Sequence, residues 1–172
     1  INNRRITMIE VLMTDEELTK AQEQAKEMGN ITHSITEGQG SVAGFLAELA
    51  VARHYGATQN NTYDYDLVMP DGTTIDVKAK RTTAVPRSYY ECSVAAYNTK
   101  QACDYYSFCR VSSNLRIVWL LGTIKKEEYF EKAEKRIKGE VDYRNNFTFK
   151  ADCYNLRISQ LPPLSNAVTV LD

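Results

Sequence analysis

Histidine is scarce in this sequence: His33 and His54 are the only two. The four cysteines, Cys92, Cys103, Cys109 and Cys153, form no C-x-x-C pair and no Cys–His spacing. A zinc site is therefore not expected. The same cysteines, in a chain with no secretory signal pattern at its start, point to reduced, buried thiols in a cytoplasmic compartment. No run approaches the roughly 18 apolar residues of a transmembrane helix, so no membrane partner is expected. Charge of one sign is also lacking, since 21 Lys and Arg stand against 22 Asp and Glu, a net charge of −1. Bulk charge thus gives no sign of a nucleic-acid partner, and any site for a polyanion must come from local clustering. There is no internal repeat and no low-complexity tract, and only four prolines.

What is present is ordinary globular composition. Hydrophobic residues make up 43% and charged residues 25% of 172 positions, which excludes a disordered or collagen-like chain. A chain of this length buries close to 70% of its unfolded surface. It is expected to form one domain over 1–172, with an N-terminal extension (1–40), a core (41–121) and a C-terminal helix and strand (122–172).

Residues 1–13 carry an apolar run, Ile6, Met8, Ile9, Val11, Leu12 and Met13, that suits an extended segment. Thr14 and Glu17 have capping-box spacing, and helix formers follow to Met28, before Gly29-Asn30. Residues 30–40 read as a loop, and a second helix is expected from about Ser41 to Tyr55. Two strands, 63–69 and 73–80, flank the turn Pro70-Asp71-Gly72. Further strands are expected at 89–95, 105–111 and 116–121. Lys125–Lys138, with six basic and four acidic residues, reads as a solvated, ion-paired helix. Weak alternation over 147–160 precedes Pro162-Pro163. Together these elements predict an α/β (α+β) domain: a central mixed β-sheet flanked by helices, with an N-terminal helical extension.

The chemistry-bearing segment is Tyr63 to Arg81. Side chains alternate faces along a strand, so Ile75, Val77 and Ala79 share one face, and Asp76, Lys78 and Lys80 the other. A three-residue turn with Gly72 in the left-handed position sets Met69 opposite Thr73 and Asp66 opposite Asp76, with Cβ atoms about 5 Å apart. Directly opposed like charges destabilise a hairpin, unless a hard divalent cation reverses the sign. Lys78 follows on the same face, roughly 6–7 Å along the strand. The competing reading is a solvated hairpin face with alternating charges. In the helix before it, Phe45, Leu49 and Ala52 mark an apolar stripe, and Glu48 lies on or beside it. A carboxylate there needs a partner, whether an ion shared with the hairpin or a contact to Arg53, Lys78 or solvent.

The order helix with Glu48, strand with Asp66, Asp-Gly turn, then Asp76-Val77-Lys78 resembles the PD-(D/E)XK nuclease superfamily. Tyr65 stands where the motif has Pro, and the second acid is Asp. Tyr89 to Val111 looks like the third and fourth strands and connecting helix of that restriction-endonuclease-like core. The resemblance implies Mg²⁺-dependent phosphodiester hydrolysis, with Mn²⁺ able to substitute. Asp66, Asp76 and the Val77 carbonyl would hold the metal, with Glu48 as a direct or water-mediated ligand. Lys78 would position the attacking water.

Lys78, Lys80, Arg81 and Arg87 lie in a stretch, 78–90, without acidic residues. They read as a phosphate track, or else as a basic loop offsetting acidic neighbours. Tyr89 and Tyr90 could stack on bases, and Lys100 and Gln101 could face the same cleft. The loop 37–41 is expected only to cap the second helix. The function expected is a metal-dependent endonuclease of restriction, repair or phage type. It would act on double-stranded or branched DNA as a homodimer, in a bacterial or phage-infected cytoplasm. The alternative is a non-catalytic nucleic-acid-binding or assembly module on the same fold.

Overall fold

The computed structural model describes residues 8–31 and 39–163. The strands are β1 (Ile9–Leu12), β2 (Thr58–Gln59), β3 (Leu67–Val68), β4 (Thr74–Thr82), β5 (Glu91–Ala95), β6 (Tyr105–Ser112), β7 (Ile117–Lys125), β8 (Glu134–Arg136), β9 (Val141–Asp142), β10 (Phe147–Thr148) and β11 (Cys153–Arg157). The helices are α1 (Asp15–Ile31), α2 (Gln39–Tyr55) and α3 (Lys126–Lys132).

Thr14 and Glu17 start α1 as expected. The Thr14 hydroxyl accepts the Glu17 N–H at 3.1 Å, and the Glu17 carboxylate accepts the Thr14 N–H at 3.0 Å, satisfying two helix-end donors at once. The helix runs through Gly29-Asn30 to Ile31 instead of stopping at Met28. His33 and most of the expected loop, with the Ile6 end of the first apolar run, lie outside the described residues.

β1-β7-β6-β4-β3-β2 form a six-stranded mixed sheet, in which only β4 and β6 pair in parallel. The fold is therefore mixed α and β around a central mixed sheet. α2 lies against β4, β6 and β7 on one face, with α1 packed over it. Covered on two sides, α2 is apolar well beyond the expected stripe. Leu46, Ala47, Ala50 and Val51 are fully buried, whereas Leu49 and Ala52 are half-buried.

The other face carries a second apolar cluster. Cys92 and Val94 of β5, Tyr106 and Phe108 of β6, Trp119 and Leu121 of β7, Tyr129 of α3 and Leu156 of β11 build it. β5, β11 and β8 form a separate three-stranded sheet. This corrects the resemblance-based placement of 89–95 as a strand of the central sheet. The parallel crossover from β4 to β6 travels through β5 and a short 3₁₀ turn, Ala96–Lys100. β4 alternates as expected, with Ile75, Val77 and Ala79 on the α2 side. Its charged face is covered in part by the second sheet, so it is not simply a solvated hairpin face.

Two other expectations are corrected. The strand at 63–69 shrinks to Leu67–Val68, because Thr62 turns the chain before it. Its hydroxyl accepts the Asp64 and Tyr65 N–H groups at 3.2 and 3.1 Å, and its N–H donates to the Tyr65 carbonyl at 2.8 Å. The helix at 125–138 ends at Lys132, with Ala133 extended (φ −70°, ψ 143°). Glu134–Arg136 then pair with β11, so tertiary pairing overrides local helix propensity. Of the expected ion pairs there, Lys132–Glu128 at 2.8 Å is the one formed at helical spacing. Four free cysteines are buried, as expected. His54 is half-buried, edge-on to the Tyr55 ring. Among the described residues no helix is long and apolar enough to cross a membrane.

Candidate functional site

The Pro70-Asp71-Gly72 turn closes as its residues dictate. Gly72 takes a positive φ of 90°, a conformation in which a Cβ is strained. The Met69 N–H donates to the Thr73 carbonyl at 2.8 Å, and the Asp71 carboxylate accepts the Thr73 N–H at 2.9 Å. This turn sets the register, Val68 against Thr74 and Leu67 against Ile75, in agreement with the register read from the sequence.

The ladder then slips at Asp66. Its N–H donates to the Ile75 carbonyl at 3.0 Å, and its carboxylate, not its backbone, accepts the Val77 N–H at 2.8 Å. Asp66 is thus not a ladder partner of Asp76, contrary to the expected cross-strand pair. Its side chain takes the rung that β3 gives up. In a strand the N–H and C=O of one residue point to the same side, so the Val77 carbonyl points to the same edge of β4 as its N–H.

Glu48 enters from α2 and is buried. Neither Arg53 nor Lys78 pairs with it, and Arg53 instead binds Glu17 at 3.0 Å. Gln59 donates to Glu48 Oε2 at 3.0 Å, and Asn61 Nδ2 donates to both carboxylate oxygens at 3.0 and 2.9 Å. Asn61 also reaches Asp66 Oδ1 at 3.4 Å. The Glu48 carboxyl acts on that of Asp66, and Asp66 on that of Asp76. The three acids therefore form a row with Asp66 in the middle.

The electrostatics follow from this crowding. Burial pushes the Asp66 carboxyl up to about 7, and the adjacent Glu48 adds to the rise. Burial and then Asp66 push Asp76 up to about 6, against the pull of Lys78. Burial also raises Glu48, partly offset by its hydrogen bonds. Lys78 Nζ lies 2.8 Å from Asp76 Oδ2. That oxygen is buried and makes no hydrogen bond of good geometry.

Gln101 was expected on a nucleic-acid surface, but the structure buries it in this row. Its Nε2 donates to Asp76 Oδ1 at 3.2 Å and to the Tyr63 carbonyl at 2.9 Å, and its Oε1 accepts Lys78 Nζ at 3.1 Å. One amide thereby holds both ends of the Asp76–Lys78 pair. Tyr106 stands beside Asp76 in the parallel register, with Lys78 Nζ 5.8 Å from its ring centre. Asn61, Gln59 and Tyr106 were not singled out from the sequence. The register of β6 against β4 identifies Tyr106 only once the parallel pairing is known, and Asn61 carries no signal beyond its position before the Thr62 turn.

The other expected nucleic-acid residues are dispersed. Lys80 points from the same β4 face into a separate recess, where it donates to Ser93 Oγ at 3.0 Å. Arg81, one residue on, binds the Ser113 carbonyl at 2.7 Å. Arg87 and Lys100 are exposed on separate segments. Tyr89 and Tyr90 do not present free faces, because Arg144 lies 4.8 Å from the first ring and Arg110 5.1 Å from the second.

Three carboxyls and a backbone carbonyl match the donor chemistry of a hard divalent cation. As they stand, among the described residues no three such side chains are set as a ready-made metal cage; the Lys78 ammonium sits against Asp76. Comparison with protein-family models and with curated proteins gives no match for this sequence.

Proposed function

We propose that this protein is a metal-dependent nuclease of the PD-(D/E)XK kind that hydrolyses phosphodiester bonds, with DNA as substrate. The observation that carries the reading is the row Glu48–Asp66–Asp76, three crowded carboxyls with the Lys78 ammonium at its end. Such a row is unfavourable in isolation, because each ionised acid raises the cost of ionising the next. Residues that cost stability in this way are candidates for function.

Asp66 and Asp76 would hold Mg²⁺ or Mn²⁺, with Glu48 and the Val77 carbonyl in support. The ion would supply a bound water of lowered pKa and would offset charge developing on the attacked phosphate. Lys78 would donate to that water or to a phosphate oxygen. Gln101 holds Lys78 and Asp76 in mutual register, and Asn61 orients Glu48. One such site cuts one strand, so cutting a duplex calls for a second copy of the chain. The four free thiols support a reducing compartment such as cytoplasm.

The test is a cleavage assay on linear, supercoiled, branched and single-stranded DNA with Mg²⁺ and with Mn²⁺. Cleavage is expected to require the metal and to vanish in Asp76→Ala and Lys78→Ala variants that remain folded. Metal-dependent stabilisation without cleavage of any substrate would favour a non-catalytic binding module. Cleavage that survives Asp76→Ala would place the chemistry elsewhere.

A further inference from the structure

The β4 and β6 strands juxtapose a second pair of like charges. Lys80 and Arg110 are direct partners in the parallel register, so they project from the same face on strands roughly 4.8 Å apart. Directly neighbouring like charges on a sheet are destabilising. Among the described residues neither has a carboxylate within ion-pairing distance. Lys80 Nζ spends one donor on Ser93 Oγ at 3.0 Å, and Arg110 one on the Glu91 carbonyl at 3.0 Å. Both groups keep donors to spare.

The two cations line a cleft of about 620 Å³, within the ~300–1,000 Å³ range of small-ligand sites. Its walls combine Thr82 and Ser113 with the rings of Tyr90, Phe147 and Phe149. Lys80 keeps accessible surface, but that surface opens into the cleft. Two carboxylates also belong to the lining: Glu91 acts on both cations from beyond ion-pairing distance, and Asp142 is engaged elsewhere. Glu91 Oε1 lies 4.0 Å from Arg157. Asp142 caps its own turn, accepting the Arg144 and Asn145 N–H groups at 3.1 and 3.3 Å and the Asn145 side chain at 2.6 Å. Burial lowers the basicity of both Lys80 and Arg110, and the neighbouring Arg110 charge lowers Lys80 further. An anion between them reverses that penalty, as a cation would among the acids.

We propose that this cleft binds one nucleotide unit, its phosphate between Lys80 and Arg110 and its base against the Phe147 ring. Phe147 is 43% exposed and stands edge-on to the buried Phe149 at 5.3 Å, so it offers a supported apolar face for stacking. Lys80 follows Lys78 on the same face of β4. The nucleotide therefore sits beside the carboxylate row, and it is a neighbour of the scissile nucleotide rather than the scissile one itself. This deepens the nuclease reading and rests on it for the identity of the strand, but not for the anion site.

The experiment measures binding without metal, in EDTA, on the Asp76→Ala protein, so that cleavage plays no part. The probes are inorganic phosphate, a deoxynucleoside 5′-monophosphate and a fluorescently labelled single-stranded oligonucleotide. The expected result is binding of the monophosphate and tighter binding of the oligonucleotide. Affinity should weaken at least ten-fold in Arg110→Gln and several-fold in Phe147→Ala. Folding of each variant is checked by circular dichroism. Monophosphate binding without a gain for the oligonucleotide would mean a free nucleotide is the ligand, and would overturn the strand assignment. Equal affinity in wild type and both folded variants, or no binding by any probe, would overturn the site. Absence of cleavage by the wild-type protein with Mg²⁺ or Mn²⁺, together with intact, variant-sensitive binding, would instead remove the nuclease reading and leave the cleft standing.

Discussion

The Asp66 carboxylate accepts the backbone N–H of Val77 at 2.8 Å, on the rung where β3 has already ended. An acid that replaces a backbone partner is fixed in place by the sheet itself. It is thereby held against Glu48 and Asp76 although like charges oppose the approach. The position is resolved by protonation, which sets the first prediction.

The Asp66 carboxyl is pushed up to about 7 by burial and by Glu48, against roughly 3.9 in an unfolded chain. Between those values the folded protein holds a proton that the unfolded chain has released. Folding stability from this group is therefore present at and below pH ~4 and is lost as pH rises towards 7. Asp66→Asn keeps the Val77 bond and the shape but cannot ionise. In urea unfolding with EDTA, the variant should gain on wild type by on the order of 2–3 kcal/mol between pH 4 and pH 8. Parallel pH curves for the two proteins would refute this. Added Mg²⁺ should narrow the gap above pH 7, because it favours the ionised acids.

Gln101 donates to Asp76 and accepts from Lys78. Gln101→Leu keeps the volume and removes both contacts. Asp76 then loses a donor that favours its charged form, so its carboxyl should titrate higher still. The expected outcome is a Mg²⁺-induced rise in melting temperature that begins at higher pH than in wild type. Cleavage should fall by at least ten-fold at pH 7 and recover in part at pH 9. A uniform loss at every pH would mean that Gln101 only supports the fold.

Much of this arrangement was legible in the sequence. The Asp-Gly turn fixes the Leu67–Ile75 register locally, and Glu48, Asp66, Asp76 and Lys78 do assemble. What was not legible depended on long-range pairing. β3 is cut short at Leu67 by the Thr62 turn together with the Val77 bond to Asp66, and the second of these joins two segments. Nothing local ends the charged helix at Lys132, where pairing of Glu134–Arg136 with β11 wins. Gln101 was read as a surface contact because its partner acid lies 25 residues away. The Lys80–Arg110 pair stays invisible until β4 and β6 are known to be parallel neighbours.

The capping box at Thr14 has a third participant. Arg53 of α2 reaches the Glu17 carboxylate at 3.0 Å and the Leu12 carbonyl at 3.0 Å, joining β1, α1 and α2 at one point. Thr14→Ala should cost about 1 kcal/mol, the usual worth of an N-cap hydroxyl. Arg53→Ala should cost less than that, since its ion pair with Glu17 is exposed. Urea unfolding of both variants checks the order, and a larger loss from Arg53→Ala would contradict it.

Tyr129 ties α3 to the second sheet. Its ring is fully buried against Phe108 and Tyr106. Its hydroxyl donates to the Cys92 carbonyl at 2.8 Å and lies 3.0 Å from the Tyr154 carbonyl. Tyr129→Phe leaves the packing and strips the Cys92 carbonyl of its side-chain donor, at a cost of about 1–3 kcal/mol. For a chain of this size each kcal/mol lowers the melting temperature by roughly 2–4 °C. β5 carries Cys92 and also Ser93, which fixes Lys80. Loosening β5 should therefore weaken nucleotide binding at the Lys80–Arg110 cleft as well as stability, while the Mg²⁺ response of the acid row, built on α2, β3 and β4, should stay unchanged. Differential scanning fluorimetry with Mg²⁺ and with a nucleoside monophosphate separates the two effects. A variant that loses the Mg²⁺ response but keeps nucleotide affinity would show that the two sites are coupled in some other way.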